Sequence, residues 1–180
     1  MNLKKIKTIA VIGIFLLSFI SHFAYELFPN LIFSFIFPVN ESIWEHMKII
    51  FTSTLIYGII DYILLNKFKI KYNNFTFQLY FTALSSIPIY LVIYIPLYKL
   101  IGENLIISIS LLLLVYIISQ LISYNILKEK EIKILNMITI PIILLSYLGF
   151  IYLTYNPIHN YIFYDKQKEK YGIEEYRNIG

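Results

Sequence analysis

Three histidines and a few carboxylates stand out in a chain otherwise poor in reactive groups. His22 and Glu26 are four residues apart, which puts both on one face of a helix. Glu41 and Glu45 are again four apart, and Ser42 and His46 lie about 100° round the same helix. His159 and Asp165 come late in the chain. Imidazole and carboxylate are the donors that zinc, manganese and iron take from proteins. His22, Glu45, His46 and His159 are therefore the candidate ligands of a divalent ion. With one coordination position open, such an ion would activate a water, and Glu41 or Glu26 would serve as general base. A His–Glu pair without an ion could act as a base or proton relay.

Plainer roles compete for the same residues. Ser42-Ile43-Trp44-Glu45 has the S-x-x-E form of a capping box, and Asn40 is an equally good helix N-cap. Glu41 would favour the positive end of the helix dipole, and Trp44 suits the aromatic belt at a membrane surface. His22 with Glu26 fits an ordinary interhelical hydrogen-bonding pair, and His159 a surface position. The chain has no H-E-x-x-H, no G-x-S-x-G and no glycine loop for phosphate. Cysteine is absent, which excludes disulfides, thiolate nucleophiles and cysteine-ligated metal.

The elements that must position these groups are membrane helices. Of 180 residues, 58% are hydrophobic and only 14% charged, against about 45–50% and about 25% in soluble domains. The mean hydropathy is +0.69. A soluble globule or a nucleic-acid-binding chain is excluded. Five apolar stretches, at 8–28, 42–65, 75–98, 104–127 and 134–155, are long enough to cross a bilayer core of about 30 Å. The expected fold is an all-α bundle of about five transmembrane helices forming one domain. Pro88 and Pro96 should kink the third helix or end it early. A piece from Leu31 to Phe37, too short to span, should lie in the interface before the second helix. The short connection makes the first two spanning helices antiparallel neighbours and brings His22 toward His46.

Lysines alternate from loop to loop. Lys4, Lys5 and Lys7 precede the first span; Lys67, Lys69 and Lys71 follow the second; Lys128, Lys130 and Lys133 follow the fourth. The segment from Pro29 to Glu41 has none, and the loop after the third span has only Lys99. The positive-inside rule then expects a cytoplasmic N-terminus, retained as a helix, in a multi-pass protein of the cell membrane. The tail at 156–180 is extracytoplasmic in this arrangement, with Lys166, Lys168, Lys170 and Arg177 on that side. The net charge of +4 is explained by topology and by anionic lipid headgroups. All three histidines, with Glu26, Glu41, Glu45 and Asp165, fall in one layer at the outer face. Asp61 lies deeper, toward the cytoplasmic end, where it should pair with Lys67 or with another helix.

The segment Phe37-Pro38-Val39-Asn40-Glu41-Ser42-Ile43-Trp44-Glu45-His46-Met47-Lys48 resembles the P-V-N-E-S-x-W-E-H-x-K signature of an uncharacterised bacterial multi-pass membrane family, the domain of unknown function numbered 6512. His22-Phe23-Ala24-Tyr25, Asn156-Pro157, Ile162-Phe163-Tyr164-Asp165 and Tyr171-Gly172-Ile173 also resemble it. Its tail usually reads L-F-x-D-P; here Lys166 follows Asp165, so the turn has no proline to fix it. The resemblance implies a small integral membrane protein and no particular activity. It singles out the same outer layer, His22, Asn40, Glu41, Trp44, Glu45, His46 and Asp165; Pro38, Asn40, Ser42, Trp44 and Asp165 are read as structural positions of the motif.

Three functions are compatible with this reading. The unexciting default is a non-catalytic membrane or envelope component whose motif is a rigid lid. The second is a membrane-embedded metal-binding protein, in one form a metal-dependent hydrolase. The third is a small-solute transporter or binder, lined by Asp61, Ser85, Ser86 and Gln120 beside the proline-bearing helix; five spans would require it to act as a homo-oligomer. The lipid bilayer is the partner common to all three.

Overall fold

The structure is a computed structural model and describes residues 1–173. Arg177 lies outside the described residues. Among the described residues there are six helices: α1 Leu3–Leu27, α2 Leu31–Ile36, α3 Ile43–Lys67, α4 Phe75–Ile101, α5 Leu105–Lys128 and α6 Lys133–Tyr155. All but α2 are long and apolar enough to cross a membrane. Two short strands, β1 Tyr164–Asp165 and β2 Lys170–Tyr171, pair antiparallel in the tail. The chain is an all-α, multi-pass membrane protein by helix length and hydropathy.

α1, α3, α4 and α5 pack as a ring in which each helix touches two others, and α6 leans on α4 and α2. The seam between α1 and α3 shows their antiparallel course. Lys7 pairs with Asp61, a Cβ on Gly13 would run into the Tyr57 ring, and Ser53 donates to Ser21 at 2.9 Å. Contacts thus descend one helix as they ascend the other. Small residues at this seam let the backbones approach closely, the usual means of association where no water drives helices together. Ile14, Met47, Phe51, Val115 and Tyr116 form the centre of the buried core.

The helix boundaries differ from the sequence expectation in three informative places. α1 begins at Leu3, not residue 8, so Lys4, Lys5 and Lys7 lie in its first two turns. The charges halt a hydropathy window but not the helix, because Asn2 caps it and Lys7 is neutralised by Asp61. Asp61 thus pairs with another helix, not with Lys67. α4 runs unbroken through Pro88 and Pro96, and does not end early. Both rings are exposed, away from the packed seams. α3 begins at Ile43, so Glu41 is not helical.

At the lysine-rich end, Asn74 ties three helices together. It adopts φ +53°, a left-handed conformation that Asn tolerates better than other non-glycine residues. Its side chain donates to Lys130 O at 2.9 Å and accepts from Ile132 N at 2.8 Å. The short piece before the second spanning helix is helical over Leu31–Ile36, capped by Asn30.

The Lys7–Asp61 pair is only 4% and 5% exposed. Replacing Lys7 by Met would leave a buried carboxylate without its cation. The expected loss is about 3–5 kcal/mol. Unfolding of the detergent-solubilised protein should show it, with most of the loss recovered in a Lys7→Met, Asp61→Leu double variant.

Candidate functional site

The site forms at the opposite end of the bundle, where three segments converge. α1 carries His22 four residues beyond Ser18, which is held by Tyr116 across a 2.6 Å hydrogen bond. α3 carries His46 in its first turn, directly after the cap at Ser42. The extended segment before α3 carries Glu41. Its carboxylate Oε2 lies 3.3 Å from His46 Nε2 and 3.7 Å from His22 Nε2, and the two imidazole centroids are 5.3 Å apart. One ligand atom from each of His22, Glu41 and His46 falls within 4.8 Å of the others. Donors bonded to one tetrahedral ion at about 2.0–2.1 Å sit roughly 3.3 Å from each other. The triad therefore needs little contraction to ligate a metal. The hydrogen bond from His46 holds Glu41 below the ordinary carboxylate value, and the charges of His46 and His22 act in the same direction against burial.

Glu41 reaches the histidines because it lies outside the helix. Had α3 begun a turn earlier, Glu41 and Glu45 would share a face; instead the backbone at Ser42 is extended and the two carboxylates part company. Glu45 turns to the other side and is almost completely buried. One oxygen accepts from Thr154 at 2.7 Å, and the other from Val39 N at 3.1 Å and Lys48 at 2.8 Å. Every oxygen of Glu45 is thus engaged in holding the loop. The S-x-x-E capping box is half formed. Ser42 Oγ accepts from Glu45 N, but the N–H of Ser42 donates to Asn40, not to Glu45. The N-cap is Ser42, not Asn40.

The tail covers this loop. Asn40 donates to Gly172 O at 3.0 Å, Trp44 N donates to Ile162 O at 2.9 Å, and Glu41 N donates to Asp165 at 3.1 Å. Trp44 stacks on Phe163 and lies against Phe150. Asp165 is fully buried, and its other oxygen accepts from Gln167 N and Lys168 N. That side chain makes the turn which a following proline would otherwise have set. Pro38 is buried under the same cover. His159 is stacked on Tyr171 at 4.4 Å and is not brought to the triad.

Beside the triad lies a cavity of about 440 Å³, walled by α1, α3, α4 and α5. His22, Glu41 and His46 line it, with Glu26, Glu103 and the tail's Gln167; Ser18, Ile50, Tyr90 and Leu112 line its deeper part. Glu26 is exposed, one turn along α1 from His22. Sequence reasoning missed Glu103, Gln167 and the α5 wall, because nothing in their spacing links them to residues near position 41. It also passed over Lys48, although a lysine three residues after Glu45 in an apolar helix is itself a signal of a buried pair.

Residues 1–173 match the family of unknown function DUF6512. The chain belongs to that family. No curated protein and no solved structure matches it. Membership covers all the described residues, so the triad, the buried Glu45–Lys48 pair and the docked tail lie within the family's extent.

Asp165→Ala removes the acceptor for three backbone N–H groups at once. Each makes a part-buried hydrogen bond to the carboxylate, worth about 1.5 kcal/mol. The tail should detach while the bundle persists. Trypsin cleavage at Lys166 and Lys168 should accelerate about tenfold or more, and Trp44, the single tryptophan, should change its emission as Phe163 leaves its face.

Proposed function

We propose that this chain is a membrane-embedded metal protein in which His22, Glu41 and His46 hold one divalent transition ion, zinc foremost, at the mouth of the cavity. The observation that carries this reading is the convergence of three donors from three segments onto one point, with donor separations of 3.3 and 3.7 Å around Glu41. Two imidazoles and one carboxylate are the ligand set of catalytic zinc and of non-haem iron, where remaining positions take water or substrate. The adjoining cavity gives such a position somewhere to open. An ion held by these three residues would supply Lewis-acid activation of a water at its open position, chemistry that suits hydrolysis of a substrate in the cavity. Glu26, lining the same space, is the carboxylate available to accept the proton.

A non-catalytic scaffold explains Pro38, Asn40, Ser42, Trp44, Glu45 and Asp165, all of which are engaged in packing the loop and tail. It gives no reason for His22, Glu41 and His46 to meet. Transport has less support. The lining of the cavity does not include Asp61, Ser85, Ser86 or Gln120, and the packed core of Ile14, Val115 and Tyr116 lies between. The positive-inside reading supports a metal end that faces away from the cytoplasm, and with Lys7 paired to Asp61 that reading rests at the N-terminus on Lys4 and Lys5.

Purified protein stripped by chelator and reloaded should bind one zinc ion per chain. His22→Ala, His46→Ala and Glu41→Gln should each weaken binding by at least ~100-fold, since even outer partners of a ligand are worth 10–100-fold. Glu26→Gln should stay within about tenfold of the parent. Zinc bound no better by the parent than by His22→Ala, His46→Ala would leave the scaffold reading in its place.

A further inference from the structure

We infer that the cavity takes the acyl chain of a single-chain membrane amphiphile and presents its uncharged carbonyl head to the ion held by His22, Glu41 and His46. The inference rests on the metal reading for its head group, and on the cavity alone for its chain.

Polarity is graded along the cavity. Imidazoles and carboxylates cluster at the mouth, and Ile50, Tyr90 and Leu112 lie at depth with Ser18, whose hydroxyl is taken by Tyr116. On α1 the lining runs from Glu26 to Ser18, a depth of ~12 Å at 1.5 Å rise per residue. Beyond the mouth the hydroxyls in the wall are paired within the protein, Ser18 with Tyr116 and Ser108 with Tyr90 and Tyr94, so a slot with charged groups at one end and largely apolar walls along the rest matches an amphiphile, not a water-soluble solute. Its volume of about 440 Å³ lies toward the low end of small-ligand sites, room for one chain and not for a two-chain phospholipid.

The cavity is also open toward the lipid. Phe19, Phe23 and Leu105 line it and are 38%, 49% and 73% exposed. Apolar side chains exposed on spanning helices face acyl chains. A ligand dissolved in the bilayer therefore enters between α1 and α5 without crossing water. The charge at the mouth selects the head. Glu26, Glu41 and Glu103 supply three carboxylates; among the described residues neither lysine nor arginine lines the cavity, while Lys168 and Lys166 of the tail act on Glu41 and Glu103 from outside it. With one divalent ion and these two lysines the carboxylates are close to balanced, so the head that enters without needing a counter-charge is an uncharged ester or amide carbonyl.

The test uses the full chain in nanodiscs of zwitterionic lipid, loaded with cobalt in place of zinc. Acetohydroxamate and octanohydroxamate are titrated against the cobalt absorption bands. Both carry the same metal-binding head and differ in chain. Leu112→Trp fills the slot without touching the ligands. Octanohydroxamate should bind at least ~30-fold more weakly to Leu112→Trp than to the parent, while acetohydroxamate should change by no more than about twofold. Equal weakening of both probes, or of neither, overturns the acyl-chain inference and leaves the metal reading standing. Ile109→Trp provides the same test if Leu112→Trp fails to fold. Failure of the parent to bind cobalt defeats the metal reading instead, and the chain is then examined without metal. A diazirine-bearing monoacylglycerol in the same nanodiscs should label peptides containing Ile109 and Leu112, and labelling no stronger there than on lipid-facing residues of α6 overturns the acyl site.

Discussion

A stretch of irregular backbone cannot sit inside an apolar bundle unless its polar groups find partners within the protein. The turn between α2 and α3 is such a stretch, and α3 supplies what it needs. Lys48 donates to Ser34 O at 2.9 Å and reaches Phe37 O at 3.5 Å, while Thr52 donates to Ile36 O at 2.9 Å. The lysine is fully buried and would be untenable alone. Glu45, one turn before it, balances its charge and takes the N–H of Val39 as well. A buried pair of this kind is weak evidence of net stability by itself. Here its role is geometric: it fixes the turn, and the turn decides where Pro38, Asn40 and Glu41 emerge.

The remaining placement comes from the seam between α1 and α3. Small side chains at Gly13, Ser21 and Ser53 bring the two backbones close, and the buried Lys7–Asp61 pair holds the register at the far end. The consequence is that His22 and His46, separated by a whole connection in sequence, stand 5.3 Å apart. Ser18, bound to Tyr116 of α5, locks the same stretch of α1 against a third helix. The two imidazoles are thus mounted on rigid elements, which is where a ligand set holds its geometry best.

Much of this was legible in the amino-acid sequence, for identifiable reasons. Long apolar runs bounded by lysines reveal spanning helices because lipid imposes one length and one kind of backbone. The short piece at Leu31 to Phe37 was visible because it is too short for anything but an interfacial role. His22 and His46 could be brought together from the brief connection alone. What failed to show was governed by contacts distant in sequence. The roles of Glu41 and Glu45 depend on whether Glu41 belongs to the helix or to the extended segment before it, and that is settled by Asn40 accepting from Ser42 and by the tail covering both. Periodicity predicts a shared face only for residues inside the helix. Lys7 looked like a topology signal because its partner Asp61 lies 54 positions away. Pro88 and Pro96 pointed to a kink or an early end, yet both rings are exposed and the helix continues past them.

The third ligand differs in kind from the two histidines. Glu41 hangs from extended backbone whose N–H is held by Asp165 and whose preceding residue is held by Gly172, both in the tail. Gln167, two residues beyond Asp165, is part of the cavity wall. The position of the carboxylate and the closure of the cavity therefore depend on one docking event. Whatever binds between Glu41 and the histidines must favour the docked tail, and a docked tail must favour that binding by the same factor, since coupling between two equilibria is reciprocal. The motif around Trp44 then has a function that neither capping nor interface anchoring supplies. It ties a segment more than a hundred residues away to the one movable ligand of the site, so that a complete cover and a complete ligand set form together.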